Sequence, residues 1–301
     1  MRAIPRIDCH HHLWRPSLYS YPWLQPDAQR PTDIFPDLAP IAGDYWLNEY
    51  LQDVQAAGVV KSVHLDSGYV PTDPVGETRL LQNLADKYGF PHGIVARAAL
   101  EQPDIQANLE AQTQYPNIRG VRHILNWHPD PAKRFTSRGD WMQDRHWLNG
   151  FALLARYNLS FDLQIWPQQM PAAAALVRRF PETSVILNHG GMPLWRDAQG
   201  WRVWQKGIRQ LAAYDNVTVK ISGPGMVFPH WTTEEIRPWI EEIIEVFGIN
   251  RVMFASNFPV DKLYGGLIKL YQAFDTITAN LSDSEARAVF YHNAARVYRL
   301  G

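Results

Sequence analysis

A D-x-H-x-H run lies close to the start of the chain, where a first β-strand is predicted to end. It places Asp8, His10 and His12 at alternate positions, and alternate side chains of a strand point to the same face. Two imidazoles side by side can converge on one atom, either a metal ion or the reacting part of a substrate. The spacing therefore predicts a catalytic or ligand-binding site. The alternative interpretations are an expression-tag remnant and a histidine-rich surface turn.

Cys9 interrupts this run and is the only cysteine of the chain. An intramolecular disulfide and a thiolate metal cluster are therefore excluded. Strand alternation is expected to send Cys9 to the face opposite His10 and His12. We expect a packed, unreactive thiol there.

Short β-branched or apolar runs alternate with amphipathic stretches along the whole chain. Gly58 stops the helical pattern that precedes the second run, and capping boxes begin at Thr232 and Ser282. The alternation predicts one α/β domain over residues 1–301, a single (β/α)8 TIM barrel whose parallel strands are ringed by helices. The predicted strands are residues 4–10, 59–66, 92–98, 118–124, 159–165, 183–189, 216–222 and 251–257.

Three predicted connections are longer than a barrel joint requires: residues 13–46, 125–147 and 223–231. They are rich in Trp, Tyr, Phe and Pro, and such βα loops at the upper face of a barrel tend to be lids or pocket walls. We expect the first loop to be a lid because it follows the histidine pair directly. For any single tryptophan, burial against the outer helices is an equally good explanation.

The composition is that of an ordinary globular protein, with 46% hydrophobic and 20% charged residues among 301. The formal net charge of -1 provides no basic surface for nucleic acid or for a membrane. No secretory signal or membrane-spanning run occurs, so a cytoplasmic location is expected. The expected partner is a small-molecule substrate, and the sequence leaves a homo-oligomer open.

Polar side chains collect at the predicted carboxyl ends of the strands, where a barrel carries its active site. His189 has the clearest functional signal, because two glycines follow it at a strand-to-loop turn. His64, Asp66 and Gln164 are equally compatible with structural roles. The collected residues are Asp8, His10, His12, His64, Asp66, Arg122, His123, Asp162, Gln164, His189, Lys220, Ser222, Ser256, Asn257 and Asp261.

Six motifs, in this order, resemble those of the amidohydrolase-related TIM-barrel hydrolases. Within that family they are similar to the branch of sugar lactonases, sulfomuconolactone hydrolase and pyrone dicarboxylate lactonase. No single motif is specific, but six in register span nearly the whole chain. They are Asp8-x-His10-x-His12-x-Trp14, Gly120-Val121-Arg122-His123, Phe161-Asp162-Leu163-Gln164, Asn188-His189-Gly190-Gly191-Met192-Pro193, Val219-Lys220-Ile221-Ser222-Gly223 and Met253-Phe254-Ala255-Ser256-Asn257-Phe258-Pro259-Val260-Asp261.

The resemblance implies hydrolysis of a small polar or acidic lactone by attack of water on the carbonyl. His10, His12 and His189 would hold one divalent cation, zinc or manganese, or would polarise the carbonyl directly without a metal. Arg122 and Lys220 would bind a substrate carboxylate or the developing oxyanion. The other predicted substrate-binding residues are Trp14, His64, Asp66, His123 and Gln164.

Asn257 departs from the family pattern, in which an aspartate commonly ligates the metal and accepts a proton from water. The amide is a weak neutral ligand and does not titrate near neutral pH. We therefore expect at most one weakly held ion. Asn257 and Asp261 are kept as catalytic candidates, and the candidates for the general base are Asp261, Asp66, His64 and His189.

Two other functions are compatible with this pattern. A metal-dependent decarboxylase of the same superfamily would use the same histidines, but it usually needs the aspartate that Asn257 replaces. A barrel that has lost activity and binds a small molecule is the non-enzymatic alternative. The set of Arg122, His189 and Lys220 argues against that alternative.

Overall fold

The computed structural model describes residues 1–194 and 197–301. Within them, eight parallel strands follow one another in chain order, as the sequence predicts for a (β/α)8 barrel. Each strand pairs with the next, and four of the eight (the third, fifth, sixth and seventh) are one or two residues shorter at each end than predicted. The strands are β1 (Arg6–His11), β2 (Val59–Leu65), β3 (Gly93–Arg97), β4 (Ile118–Ile124), β5 (Ser160–Gln164), β6 (Val185–Leu187), β7 (Val217–Ile221) and β8 (Val252–Phe254).

The barrel is closed by the segment that follows β8. The Asn257 N–H donates to the His10 carbonyl, and the His12 N–H donates to the Phe258 carbonyl, each at 2.7 Å. Because these bonds join the two ends of the sheet, Asn257 is fixed beside the D-x-H-x-H run.

Helices lie between the strands and cover the outside of the barrel. The predicted capping boxes are confirmed: Thr232 caps the seventh helix and Ser282 caps the ninth. No helix in the described part of the chain is long and apolar enough to cross a membrane. The helices are α1 (Leu47–Val54), α2 (Gly76–Tyr88), α3 (Ile105–Gln112), α4 (Arg145–Arg156), α5 (Met170–Arg179), α6 (Ala198–Ala212), α7 (Thr233–Phe247), α8 (Leu267–Ile277), α9 (Asp283–Arg287) and α10 (Asn293–Val297).

Strand β1 contains a bulge that breaks the predicted alternation. Asp8 pairs with Ser62 of β2, and His11 pairs with His64. Three residue steps on β1 therefore match two on β2, which leaves one residue of β1 without a partner. As a result Asp8 and His11 both face the surrounding helices.

The prediction that Asp8 shares a face with His10 and His12 is consequently wrong. Asp8 accepts hydrogen bonds from the Tyr50 hydroxyl on α1 at 3.1 Å and from the Ser256 hydroxyl at 2.6 Å. Burial raises the pKa of Asp8 to about 6. Asp8 is therefore a buried anchor between β1, α1 and the end of β8.

Cys9 also departs from the expected geometry, because it lies inside the barrel rather than opposite the histidines. It belongs to an apolar cluster with Val63, Val95 and Ile186, whose strands lie around the barrel and can meet only in its interior. Burial raises the pKa of the Cys9 thiol to about 12. The expected packed and unreactive thiol is consistent with this environment.

Two long loops meet across the upper end of the barrel, and we call residues 13–46 and 125–147 together the roof. The Lys133 ammonium pairs with Asp33 at 2.6 Å, and the Asp33 N–H donates to the Ala132 carbonyl. The rings of Phe35 and Phe135 lie 5.9 Å apart between centroids. These contacts join the first loop to the second over the carboxyl ends of the strands.

Candidate active site

A cavity of about 340 Å³ lies beneath the roof, at the carboxyl ends of the strands. Trp23, Phe35 and Phe135 line it from the roof, and Met226 lines it from the third long loop. The three long loops therefore supply cavity walls, as the sequence predicts. The volume suits a small molecule. The predicted site residues that line it are His12, Asp66, Arg122, His123, Gln164, His189 and Asn257.

Three histidines form a compact cluster at the floor of this cavity: His12 and His189 line it, whereas His10 does not line it and is fully buried against both. The ring centroid of His10 lies 5.1 Å from that of His12 and 4.5 Å from that of His189. Burial lowers the pKa of His12 to about 4 and the pKa values of the other two well below their ordinary range. The cations of Lys220 and Arg122 lower the pKa of His10 further. All three imidazoles are therefore neutral at pH 7.

Backbone geometry holds two members of the site in left-handed conformations. His189 follows β6 with φ of 53°, and Asn257 follows β8 with φ of 63°. Non-glycine residues rarely adopt this region, and such strain concentrates at functional sites. Gly223 lies close to both residues. A Cβ there would come within 2.9 Å of Nδ1 of His189 and 3.0 Å of Nδ2 of Asn257, so only glycine fits without a shift.

The hydrogen bond of His12 identifies its tautomer. Its Nδ1 atom lies 2.9 Å from the carbonyl oxygen of Leu65. A carbonyl can only accept, so Nδ1 of His12 carries the proton. The Nε2 atom of this neutral ring therefore carries the lone pair and can act as a base, and the Asn257 side chain is a second hydrogen-bond partner of the ring.

His10 has the opposite tautomer. Its Nδ1 atom lies 3.5 Å from Nζ of Lys220, and an ammonium group can only donate. Nδ1 of His10 is therefore the acceptor, and its Nε2 carries the proton. Nε2 is buried and has no hydrogen-bond partner among the described residues. A buried N–H without a partner is costly, so this atom is available to an oxygen of a ligand.

Lys220 lies beneath His10 rather than against the cavity. Its ammonium pairs with Asp162 at 2.7 Å, and both side chains are fully buried. The Tyr298 hydroxyl donates to the same carboxylate at 2.9 Å. Lys220 does not line the cavity, and it contacts the histidine cluster through His10.

Arg122 does line the cavity, but its guanidinium is held by protein oxygens. Nε and Nη2 donate to the side chain and the backbone of Asp66, each at 2.5 Å. Nη1 donates to Gln164 at 3.4 Å. Burial opposes ionisation of Asp66, but the Arg122 charge prevails and lowers the pKa of the carboxyl. Asp66 is therefore an ion-pair partner, which makes it a weak candidate for the general base.

Asp261 lies behind Asn257 and does not line the cavity. It accepts hydrogen bonds from Nδ2 of Asn257 at 2.7 Å and from the Gly225 N–H at 3.0 Å. Burial raises the pKa of Asp261 to about 7. Asp261 therefore acts on the site indirectly, by orienting the Asn257 amide.

This raised pKa predicts how stability depends on pH. The Asp261 pKa is about 7 in the folded protein and near its ordinary 3.8 in the unfolded chain, so between these values only the folded protein keeps the proton. The contribution of Asp261 to the free energy of unfolding should therefore fall as pH rises from about 4 to about 7, whereas the lowered pKa values of the buried histidines act in the opposite direction. In urea melts across this range, the free energy of unfolding of the wild-type protein should fall relative to that of Asp261→Asn as pH rises. Relative to the control Asp215→Asn, at an exposed position, it should not change, and a constant difference between wild type and Asp261→Asn would contradict the raised pKa.

The remaining predicted residues support the walls of the site. Nε2 of His64 accepts the Leu13 N–H at 2.9 Å, and the buried Trp14 indole donates to the carbonyls of Ile41 and Gly43. Neither side chain lines the cavity. Both residues therefore anchor the first loop.

His123 lines the cavity at its edge, as predicted. Its Nδ1 accepts the Trp147 indole N–H at 3.1 Å. Sequence reasoning missed three arginines of the same cavity, Arg30, Arg97 and Arg134. Arg97 is the last residue of β3, so it could have been included among the polar residues at the predicted strand ends, whereas the two loop arginines have no signal in the sequence.

The donor atoms around the three histidines do not meet the needs of a divalent cation. No group of three His, Cys, Asp or Glu side chains in residues 1–194 and 197–301 is arranged to hold one. Nε2 of His10 carries a proton rather than a lone pair, and Asn257 supplies no negative charge. The residues present therefore do not fit a firmly held metal ion at the three histidines.

Comparisons with known proteins agree with the fold. A family model described as amidohydrolase matches residues 7–300. An uncharacterized protein of Sinorhizobium fredii, y4mH, is 44% identical over 100% of both chains. The L-fucono-1,5-lactonase of Burkholderia ambifaria is 27% identical over 98% of this chain and 96% of its own. An amidohydrolase of Burkholderia multivorans, solved with bound zinc, superimposes with a TM-score of 0.83 at 24% identity over 99% and 100% of the chains.

Proposed function

Because this chain belongs to the amidohydrolase family, we propose that it is a lactonase that opens a small polar or acidic cyclic ester by attack of water on the carbonyl. The relative named L-fucono-1,5-lactonase supports this reaction class. The observation that carries the proposal is the pair of opposite tautomers at His10 and His12. One ring provides an N–H donor and its neighbour provides a basic nitrogen.

In this proposal His10 stabilises the charge that develops on the lactone carbonyl. A carbonyl oxygen placed between His12 and His189 would receive the unpartnered Nε2–H of His10. Buried donors that are fixed before the reaction stabilise an oxyanion more strongly than water does. The buried Lys220 ammonium behind Nδ1 strengthens this donor.

His12 is the proposed general base. Its Nε2 lone pair takes a proton from water as the water oxygen bonds to the carbonyl carbon. When the tetrahedral intermediate collapses, the ring C–O bond breaks and the imidazolium returns the proton to the leaving alkoxide. The product is a hydroxy acid, and the imidazole is again neutral.

A screen of lactones with a pH indicator tests this function. We expect acid release from at least one lactone, with loss of the activity in His189→Ala. The same assay is run after EDTA treatment and with added zinc or manganese. We expect EDTA to change kcat by less than about two-fold, because the donor set does not fit a firmly held ion.

Two results would contradict the proposal. Carbon dioxide release from an aromatic or unsaturated acid, without lactone hydrolysis, would indicate a decarboxylase. Binding of small molecules without turnover in either assay would indicate an inactive binding barrel.

A further inference from the structure

Four arginines of the described residues line the active-site cavity, and three of them form no ion pair with another described residue. Arg122 is paired with Asp66, which is the only carboxylate among the described residues of the lining. No Asp or Glu among the described residues forms an ion pair with Arg30, Arg97 or Arg134. Among the described residues, the cavity lining therefore carries more positive than negative charge, with four guanidinium groups and one carboxylate.

Two of these arginines are held in place by neutral groups. Nε of Arg30 donates to the Phe35 carbonyl at 3.1 Å, and Nε of Arg134 donates to the His128 carbonyl at 3.0 Å. The Arg134 guanidinium also lies over the Trp127 ring at 5.5 Å. Each keeps one terminal nitrogen that has no hydrogen-bond partner among the described residues: Nη2 of Arg30 and Nη1 of Arg134. The carbonyls orient the guanidinium groups without cancelling their charge.

Arg97 approaches the cavity from the barrel itself. It is the last residue of β3 and is exposed, and no hydrogen bond of its guanidinium occurs among the described residues. Arg97 also lines a second cavity that contains Asp73, Glu77, Glu101 and Asp104, and none of these carboxylates forms an ion pair with it. The Arg97 charge contributes to the lowered pKa of Asp66 without a direct ion pair. The end of β3 thus presents to the cavity a guanidinium group whose N–H donors are all available to a ligand.

We infer that Arg97, together with Arg30 and Arg134, forms a carboxylate-binding subsite, so that the substrate is an acidic lactone with a carboxylate outside the ester ring. Bringing three like charges to one small cavity is unfavourable unless an anion joins them. The planar guanidinium matches a carboxylate with two parallel hydrogen bonds. The inference rests on the proposed function only in taking the anion to be part of a lactone.

Two lactones that differ at one position test the subsite. D-Galactaro-1,4-lactone carries a carboxylate where D-galactono-1,4-lactone carries a hydroxymethyl group. We expect the wild-type protein to have the higher kcat/KM for the acidic lactone. In Arg97→Gln the ratio of the two kcat/KM values should fall about ten-fold or more, through KM, because a charge-assisted pair is lost. Arg134→Gln should lower the same ratio.

A matched control and a binding measurement complete the test. Arg287→Gln removes an exposed arginine on α9, and it should leave the ratio unchanged. Tricarballylate has three carboxylates and no ester, so its binding by calorimetry is independent of turnover. Wild-type protein should bind it, and Arg97→Gln should bind it about ten-fold more weakly.

The outcomes separate this inference from the proposed function. Equal hydrolysis of both lactones, or an equal loss on both in Arg97→Gln, would overturn the subsite and leave the lactonase proposal standing. Tricarballylate binding that depends on Arg97, with no hydrolysis of any lactone in the screen, would support the subsite and contradict the lactonase. Absence of both binding and hydrolysis would overturn both.

Discussion

Replacement of His12 by asparagine is expected to lower kcat about 1,000-fold on any lactone that the wild-type protein hydrolyses. The asparagine amide can still donate to the Leu65 carbonyl, which Nδ1 of His12 reaches at 2.9 Å. It has no counterpart of Nε2, so the variant removes the basic nitrogen and keeps the anchor. The measurement is kcat at saturating substrate, with circular dichroism as the check on folding.

Chemical rescue distinguishes a base from a structural residue at this position. His12→Ala leaves a space of imidazole size beside the cavity, and added imidazole should restore part of its activity. A kcat within about ten-fold of wild type in His12→Asn, or failure of rescue in a folded His12→Ala, would assign the base elsewhere. His189 would then be the next candidate, because its Nδ1 contacts the Ser222 hydroxyl at 2.9 Å, a partner compatible with either tautomer.

The second large effect is expected at the buried ion pair beneath His10. Lys220→Met leaves the Asp162 carboxylate buried, with Tyr298 as its one hydrogen-bond donor among the side chains that the structure describes. We expect a loss of about 3 to 5 kcal/mol in the free energy of unfolding, because removing one partner leaves an uncompensated buried charge. Urea denaturation measures this loss directly.

A double variant separates this effect on stability from the effect on chemistry. Lys220→Met combined with Asp162→Asn removes both charges, and the asparagine oxygen can still accept from Tyr298. Most of the stability should return, whereas kcat should stay at least about ten-fold below wild type because Nδ1 of His10 has lost its donor. Full activity in the double variant would show that Lys220 has no role at His10.

Nitrogen NMR of the histidine ring provides a readout that stability does not affect. In the wild-type protein, Nε2 of His10 should carry the proton, whereas in His12 the proton should be on Nδ1. A protonated Nδ1 at His10 would contradict the assignment that follows from the Lys220 contact.

The barrel could be predicted from local patterns because its determinants repeat along the chain. Strand β4 has the predicted bounds, and both predicted capping boxes form. The bulge in β1 was missed because it arises from pairing with β2, and a strand considered alone gives only simple alternation. Asp8 was therefore placed on the wrong face, although its residue type and position in the motif suggested a ligand.

Within the site, seven of the predicted residues line the cavity, because strand ends of a barrel meet at one face. Lys220 and His64 lie deeper, since a strand pattern does not give the depth to which a long or planar side chain reaches. The two loop arginines were missed for a different reason. Their positions depend on contacts between loops such as the pair of Lys133 and Asp33, and these residues are distant in sequence.

The sequence by itself determined the barrel, the end of it that carries the site and the histidines at its centre, because hydrophobic periodicity and strand order specify these features locally. Only the tertiary structure decided what each histidine can do. Lys220 on β7 donates to His10, and Leu65 on β2 accepts from His12, so partners from separate strands assign one ring as donor and the other as base. The charge of the cavity was decided in the same way, because the loops and β3 bring three unpaired arginines together.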